Sequence, residues 1–161
     1  MIDKARWGQR GEWYVVAQLT LFGLIFISPF AFSGPGRWPS PWSAVALAAG
    51  LILGLAGGLL ALAGVFTLGP NLTAVPYPKE DAVLVEKGVY CLVRHPIYAG
   101  ILFGALGWGL LTNSLLALLL VLALFLLFDV KARREEAWLC EKYANYTDYQ
   151  RQVKKLIPFV Y

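Results

Sequence analysis

The chain has few charged side chains and few residues that bind metals. Only 15% of its 161 residues are charged and 58% are hydrophobic, whereas soluble domains are about 25% charged and at most about 50% apolar. Cys91 and Cys140 form no CxxC pair and His95 is the one histidine, so we expect no metal site. The net charge of +4 comes without a dense Lys/Arg run, which argues against nucleic-acid binding.

The apolar residues fall into four blocks and predict an all-α integral membrane protein with four transmembrane helices. The predicted spans cover about 14–32, 42–68, 95–112 and 114–131. A helix needs about 20 apolar residues to cross the hydrocarbon layer, so the third and fourth blocks are short and must use flanking residues or thin the bilayer locally. Only Thr112–Ser114 separates their apolar runs. We therefore predict a helical hairpin whose second helix extends into a charged, cytoplasmic C-terminal helix.

The basic residues predict the orientation of these spans. Thirteen of the 14 Lys and Arg residues precede the first span, separate the second from the third or follow the fourth. Arg37 alone lies on the other side. Because cytoplasmic segments carry an excess of Lys and Arg, both termini are predicted to be cytoplasmic.

A glycine run in the second block predicts close helix packing. Gly50, Gly54 and Gly58 form a GxxxGxxxG pattern, and small residues at this spacing let helices approach closely in lipid. The pattern favours packing within one chain, so the protein could be a monomer, and it leaves open a homodimer through the same face. Gly100 belongs to a similar small face on the third helix, where the backbone could also approach a ligand.

Two polar segments, 88–100 and 133–136, meet at one end of the predicted hairpin. Pro96 suits the first turn of a helix, which places Arg94 and His95 just before a helix N-terminus, where an anion is favoured. Each residue alone has an ordinary explanation, such as an interfacial anchor for Arg94 or a capping group for His95. Only their combination with Glu-Glu at 135–136 points to a functional site.

The motifs that carry this combination resemble a known family. GVYCLVRHPIYAG at 88–100, RREEAWL at 133–139 and YTDYQRQVKKLIP at 146–158 are similar to the isoprenylcysteine carboxyl methyltransferase family, whose core pattern phosphatidylethanolamine N-methyltransferases share. The resemblance covers about 68–158. It implies S-adenosylmethionine as methyl donor and S-adenosylhomocysteine as product, in a cytoplasm-facing pocket covered by the C-terminal segment. It implies no Rossmann domain, and the chain has no GxGxxG after a strand.

The resemblance also implies roles for individual residues. Arg94, His95 and Glu136 would be catalytic, with Arg94 fixing the carboxylate of the cofactor or holding Glu135. Lys131 and Arg134 would face the substrate. The residues implied to bind the cofactor are Leu84, Val85, Tyr90, His95, Pro96, Ile97, Tyr98, Gly100 and Glu135.

The implied chemistry needs few catalytic groups. Methyl transfer from a sulfonium mainly requires proximity and alignment. A carboxylate acceptor needs no base, whereas an amine must lose a proton to a base such as His95 or Glu136. Carboxylate O-methylation of a lipophilic substrate is favoured, and N-methylation of a phospholipid or another amine is the alternative. Lys131 stands where eukaryotic members have an Arg assigned to the substrate carboxylate, and Ala82 stands where they have a cofactor-contacting His.

Two other classes of protein compete with this interpretation. Membrane sterol reductases, which use NADPH, also carry an RHPxY element and a tail similar to Ile157–Tyr161, but they typically have Asn at the position of Ile97 and an acidic residue at that of Ile101. A non-catalytic lipid-binding or scaffold protein would leave the RHPxY and Glu-Glu pairing unexplained. We therefore expect one methyltransferase domain over 1–161, with 1–68 as scaffold and 69–161 as catalytic core, in a prokaryotic inner membrane.

Overall fold

The computed structural model describes residues 10–31 and 38–161, and this part of the chain contains helices and no strand. The elements are α1 Glu12–Ala31, α2 Trp42–Leu68, α3 Pro96–Leu111, α4 Leu115–Lys142 and α5 Tyr146–Gln152, with 3-10 turns at Gly69–Asn71 and Gly88–Cys91. The prediction of an all-α chain is confirmed, and the four apolar blocks each form a helix. Phe32, the last residue of the first predicted span, lies outside the described residues, as do Lys4, Arg6 and Arg37.

Three of the described helices are long and apolar enough to cross a membrane. They are α1, α2 with the 3-10 turn that follows it, and α4. α3 is apolar but has 16 residues, so at 1.5 Å per residue it measures about 24 Å. The predicted continuation of the fourth helix beyond 131 is observed as far as Lys142. The prediction that the same helix runs on to about 155 is wrong, because the chain leaves the helix at Tyr143 and forms the separate helix α5.

A tight turn joins α3 to α4. Asn113 adopts a left-handed conformation with φ of 55°, which Asn tolerates better than most residues. Ser114 then caps α4, because its Oγ accepts a hydrogen bond from the amide of Ala117 at 3.1 Å. These local signals end one helix and begin the next within three residues, as the predicted hairpin requires.

A seam of glycines joins α2 to α3. A Cβ atom on Gly57 would lie 2.5 Å from the carbonyl oxygen of Gly100, and one on Gly107 would lie 2.6 Å from that of Gly50. The two helices are therefore antiparallel, with their backbones in contact, and the seam follows a seven-residue spacing rather than the predicted four. Gly58 lies outside the seam, since a Cβ atom on Gly58 would have no neighbouring atom within 4 Å. The homodimer through Gly50, Gly54 and Gly58 stays a prediction.

Aromatic and aliphatic side chains pack α1 against α4. Phe22 and Phe128 contact edge to face at 6.4 Å, and Ile25 and Leu124 are buried in the same core. Phe128 also stacks on Tyr98 of α3 at 4.7 Å. Much of the remaining helix surface is exposed and apolar, as expected for helices surrounded by lipid.

The antiparallel arrangement brings four helix ends and two irregular segments together. The start of α1 and α3 and the end of α2 and α4 lie at one end of the bundle, together with 69–95 and 143–161. In the described part of the chain, every Lys and Arg lies in these segments or between Lys131 and the end of α4, except Arg10, which lies two residues before α1.

Candidate active site

A cavity of about 320 Å³ opens at this end of the bundle. Four helices and the 71–85 segment contribute to its wall, and three tyrosines from 143–149 close it. Seven of the nine residues predicted to bind a cofactor line it: Leu84, Val85, Tyr90, His95, Ile97, Tyr98 and Glu135. Arg94 and Lys131 line it as well.

Four predicted site residues do not line the cavity. Gly100 faces α2 across the glycine seam, and Pro96, in the first turn of α3, packs close to Gly64. Arg134 is exposed, with its guanidinium 4.6 Å from the ring centroid of Trp138. The fourth, Glu136, is buried behind the cavity wall.

Glu136 is the centre of a buried polar cluster that we call the clamp, formed by Arg94, His95, Glu136 and Gln150. One carboxylate oxygen accepts from Arg94 Nε at 2.7 Å and lies 3.0 Å from His95 Nε2. The other accepts from Arg94 at 3.2 Å and from the Gln150 amide at 3.0 Å. Arg94 thus holds Glu136 rather than Glu135, which differs from one of its two predicted roles.

The clamp also holds the C-terminal segment in place. Arg94 donates from its guanidinium to the carbonyl oxygens of Gln150 and Val153. The backbone amides of Arg94 and His95 donate to the carbonyls of Lys154 and Lys155 at 2.8 and 3.1 Å. These amides are therefore not free to bind an anion before α3. Their partners are residues of the segment that was predicted to cover the pocket.

Glu135 points the other way, into the cavity. Among the residues that the structure describes, Tyr98 alone donates a hydrogen bond to its carboxylate, at 2.8 Å. His95 Nδ1 lies 3.8 Å from the same oxygen, and the rings of His95 and Tyr98 stack in parallel at 5.3 Å. With a quarter of its side chain exposed, Glu135 keeps acceptor capacity for a ligand.

Lys131 places a positive charge in the same cavity, one helical turn before Glu135. It is only 2% exposed, and its ammonium donates to Gln18 Oε1 at 2.8 Å and to the carbonyl of Ala74 at 3.5 Å. It also lies 4.9 Å from the ring centroid of Tyr98. Tyr98 thus contacts the ammonium with its ring and the carboxylate with its hydroxyl.

The tyrosines of the wall are neutral hydrogen-bonding groups. Burial raises the pKa of Tyr90, Tyr146 and Tyr149 well above the ordinary phenol value, and the negative charge of Glu135 adds to the increase at Tyr90. Tyr149 donates to the carbonyl of Tyr90 at 2.6 Å, which joins the C-terminal segment to the 88–91 turn. These phenols are therefore not bases near neutral pH.

Sequence reasoning missed several wall residues. Tyr143, Tyr146 and Tyr149 recur at three-residue intervals, a spacing that could have marked them as one face of the segment after α4. Gln18 gave a weaker signal, as one of the few polar residues of a long apolar block. Its position in the cavity depends on the packing of α1 against α4.

Comparisons with known proteins show which family this chain belongs to. The model of the phospholipid methyltransferase family matches residues 45–146. The chain belongs to this family. Protein-S-isoprenylcysteine O-methyltransferase of Saccharomyces cerevisiae is 33% identical over 115 residues, which cover 69% of this chain and 48% of the yeast protein. Family membership confirms the relationship to isoprenylcysteine carboxyl methyltransferases that the motifs predicted.

A bacterial relative and a solved structure extend the match over nearly the whole chain. The cobalt-zinc-cadmium resistance protein CzcN of Cupriavidus metallidurans is 31% identical over 149 residues, 92% of this chain and 62% of that protein. The solved structure of the eukaryotic intramembrane Ras methyltransferase ICMT is 28% identical with a TM-score of 0.65, over 93% of this chain and 53% of that one. This chain therefore spans less than two thirds of the length of each of these relatives.

Proposed function

We propose that this protein transfers a methyl group from S-adenosylmethionine to a lipophilic carboxylate at the cytoplasmic membrane surface. The observation that carries the proposal is one cavity holding an available carboxylate, Glu135, and a buried ammonium, Lys131, on two sides of Tyr98. Membership of the family supports methyl transfer over the NADPH-dependent reductase and the non-catalytic scaffold.

The residues of the cavity fit the methyl donor. Its ammonium group is complementary to the Glu135 carboxylate, since a charge-assisted hydrogen bond is stronger than a neutral one. Leu84 and Val85 offer an apolar wall from the 71–85 segment, and Tyr90 adds an aromatic surface. The volume of about 320 Å³ falls within the range of roughly 300–1,000 Å³ that small-molecule sites occupy.

Positioning is the main task of the side chains in this proposal. When bound, S-adenosylmethionine supplies an electrophilic methyl group on a sulfonium, and the acceptor oxygen takes it as the carbon–sulfur bond breaks. Lys131 orients and attracts the acceptor carboxylate, which is already nucleophilic. Both groups predicted as bases, His95 and Glu136, are committed to the clamp, which favours a carboxylate over an amine that must lose a proton.

The same proposal includes the placement of the site in the membrane. α1, α2, α3 and α4 would all span the bilayer, with both termini in the cytoplasm of a prokaryotic cell. The basic residues gathered at the cavity end support this orientation. The exposed apolar surface of α2, on which Phe66 is 80% exposed, supports contact with lipid.

Binding of S-adenosylhomocysteine to the detergent-solubilised protein tests the cofactor assignment. In isothermal titration calorimetry we expect Glu135→Gln to weaken binding about tenfold or more, because it removes a charge-assisted contact. Glu141→Gln is the matched control, since Glu141 lies on the same helix, is exposed and does not line the cavity. Absence of S-adenosylhomocysteine binding together with clear NADPH binding would contradict the proposal.

A methylation assay tests the acceptor class. We expect methyl transfer to N-acetyl-S-farnesylcysteine, an isoprenylcysteine carboxylate, and none to phosphatidylethanolamine. Transfer to the amine alone would overturn the carboxylate assignment while leaving the donor assignment intact.

A further inference from the structure

Gln18 is a polar residue in the first half of the largely apolar helix α1, and its side chain reaches the cavity. Its Oε1 accepts the 2.8 Å hydrogen bond from Lys131 Nζ. It lies outside the region that the family model matches, which begins at residue 45. A polar side chain at membrane depth is costly unless it has a partner or a function, so this contact between α1 and α4 needs an explanation.

The contact determines where the Lys131 ammonium can point. An ammonium has three N–H donors. Gln18 takes one at a short distance, and the carbonyl of Ala74 takes a second at 3.5 Å. The ring of Tyr98 lies beneath the charge at 4.9 Å. Because a lysine side chain has several rotatable bonds, a neutral acceptor on one side directs the remaining donor into the cavity.

We propose that Gln18 is a positioning residue that aims Lys131 at the negatively charged group of the acceptor, so that α1 sets the selectivity for anionic acceptors. The amide is suited to this role because it accepts a hydrogen bond without neutralising the lysine charge. This proposal rests on the proposed function, and it changes the predicted role of residues 1–68 from scaffold alone to part of the substrate site.

Binding selectivity tests the proposal without requiring turnover. The probes are N-acetyl-S-farnesylcysteine and its uncharged methyl ester, titrated into detergent-solubilised protein with S-adenosylhomocysteine present. We expect the wild-type protein to bind the carboxylate at least tenfold more tightly than the ester. Gln18→Leu should remove most of this preference by weakening carboxylate binding, and Lys131→Met should remove all of it.

Gln18→Glu separates positioning from packing. A carboxylate at residue 18 would form an ion pair with Lys131 and neutralise its charge. The preference for the anionic probe should therefore fall, whereas the α1–α4 contact and the thermal stability should be kept. A purely structural role predicts that Gln18→Glu binds both probes like the wild type. Thr20→Val is the control on the same helix, because Thr20 is exposed and its hydroxyl bonds to the carbonyl of Val16 at 2.9 Å. This variant should keep the full preference.

Two results would overturn the proposal: an unchanged preference in Gln18→Leu and Gln18→Glu, or a wild-type protein that binds ester and carboxylate equally. Failure of the proposed function is recognised separately, because the wild-type protein would then not bind S-adenosylhomocysteine. The two probes can then be compared without that ligand, so the selectivity still decides the role of Gln18. With a working enzyme, Gln18→Leu should raise KM for the acceptor about tenfold and change kcat much less.

Discussion

The clamp and the cavity wall each contain a glutamate from the same turn of α4, but the two carboxylates differ in how many hydrogen bonds they accept. In the clamp, Glu136 accepts hydrogen bonds from Arg94 and Gln150 and contacts His95, and it is buried. On the cavity wall, Glu135 accepts one hydrogen bond and is partly exposed. Two adjacent carboxylates therefore have different roles: the saturated one holds the fold together and the unsaturated one is available to a ligand.

The largest effect should come from breaking the clamp. Glu136→Ala leaves the Arg94 charge buried without its partner, which typically costs about 3–5 kcal/mol. We expect the C-terminal segment to detach, a clear fall in melting temperature and the loss of S-adenosylhomocysteine binding as a consequence. Thermal unfolding followed by tryptophan fluorescence, with protease cleavage within 143–161 as a second readout, would check this.

Glu141→Ala is the control for that experiment, because its side chain is exposed on the same helix. If Glu136→Ala melted like this control and lost only its ligand binding, the clamp would belong to the binding site rather than to the fold.

An intermediate effect is expected at the glycine seam, where Gly100 was predicted to contact the cofactor. A Cβ at this position would lie 2.5 Å from the carbonyl oxygen of Gly57, and overpacking of this kind costs about 1–3 kcal/mol. Gly100→Ala should lower the melting temperature by several degrees and leave ligand affinity in the folded fraction unchanged. Gly104→Ala, whose Cβ meets nothing within 4 Å, should be as stable as the wild type.

The opposite pattern at Gly100 would show that the cavity reaches further along α3 than the structure places it. In that case Gly100→Ala would keep its stability and lose affinity for S-adenosylhomocysteine in the same titration.

The smallest effect is expected at Arg134, which sequence reasoning assigned to the substrate. Its exposed guanidinium lies over Trp138, away from the cavity, and an exposed cation–π contact contributes about 0.5–1 kcal/mol. Arg134→Ala should therefore change neither the KM for the carboxylate acceptor nor the binding of S-adenosylhomocysteine. A tenfold rise in KM in the methylation assay would instead show that Arg134 contributes to substrate binding, as the sequence predicted.

The sequence predicted the structure best at positions where the residue type alone restricts the local conformation or environment. Pro96 at the first turn of α3 and the uncharged apolar blocks predicted the bounds of α1, α2 and α3 to within one or two residues. The RHPIY and REE motifs identified the family. They also supplied five of the residues that line the cavity, namely Arg94, His95, Ile97, Tyr98 and Glu135. Each of these signals acts through neighbouring residues along the chain, so a single sequence is sufficient to detect it.

Local sequence signals could not decide which of two neighbouring residues faces the cavity. Glu135 and Glu136 are chemically equivalent in the sequence, and the rotation of α4 sends one to the cavity and the other to Arg94. The glycine pattern was similarly ambiguous, because the crossing of α2 and α3 selected Gly57 over Gly58.

By itself, the sequence determined a helical membrane protein, its family and the polar end of the helical bundle. These follow from hydropathy, charge placement and local motifs, all of which are properties of short segments. Only the tertiary structure decided that Arg94 pairs with Glu136 and that Gln18 meets Lys131 across 113 positions of chain. Such pairings depend on the rotation and depth of helices that pack together, and no short segment contains that information.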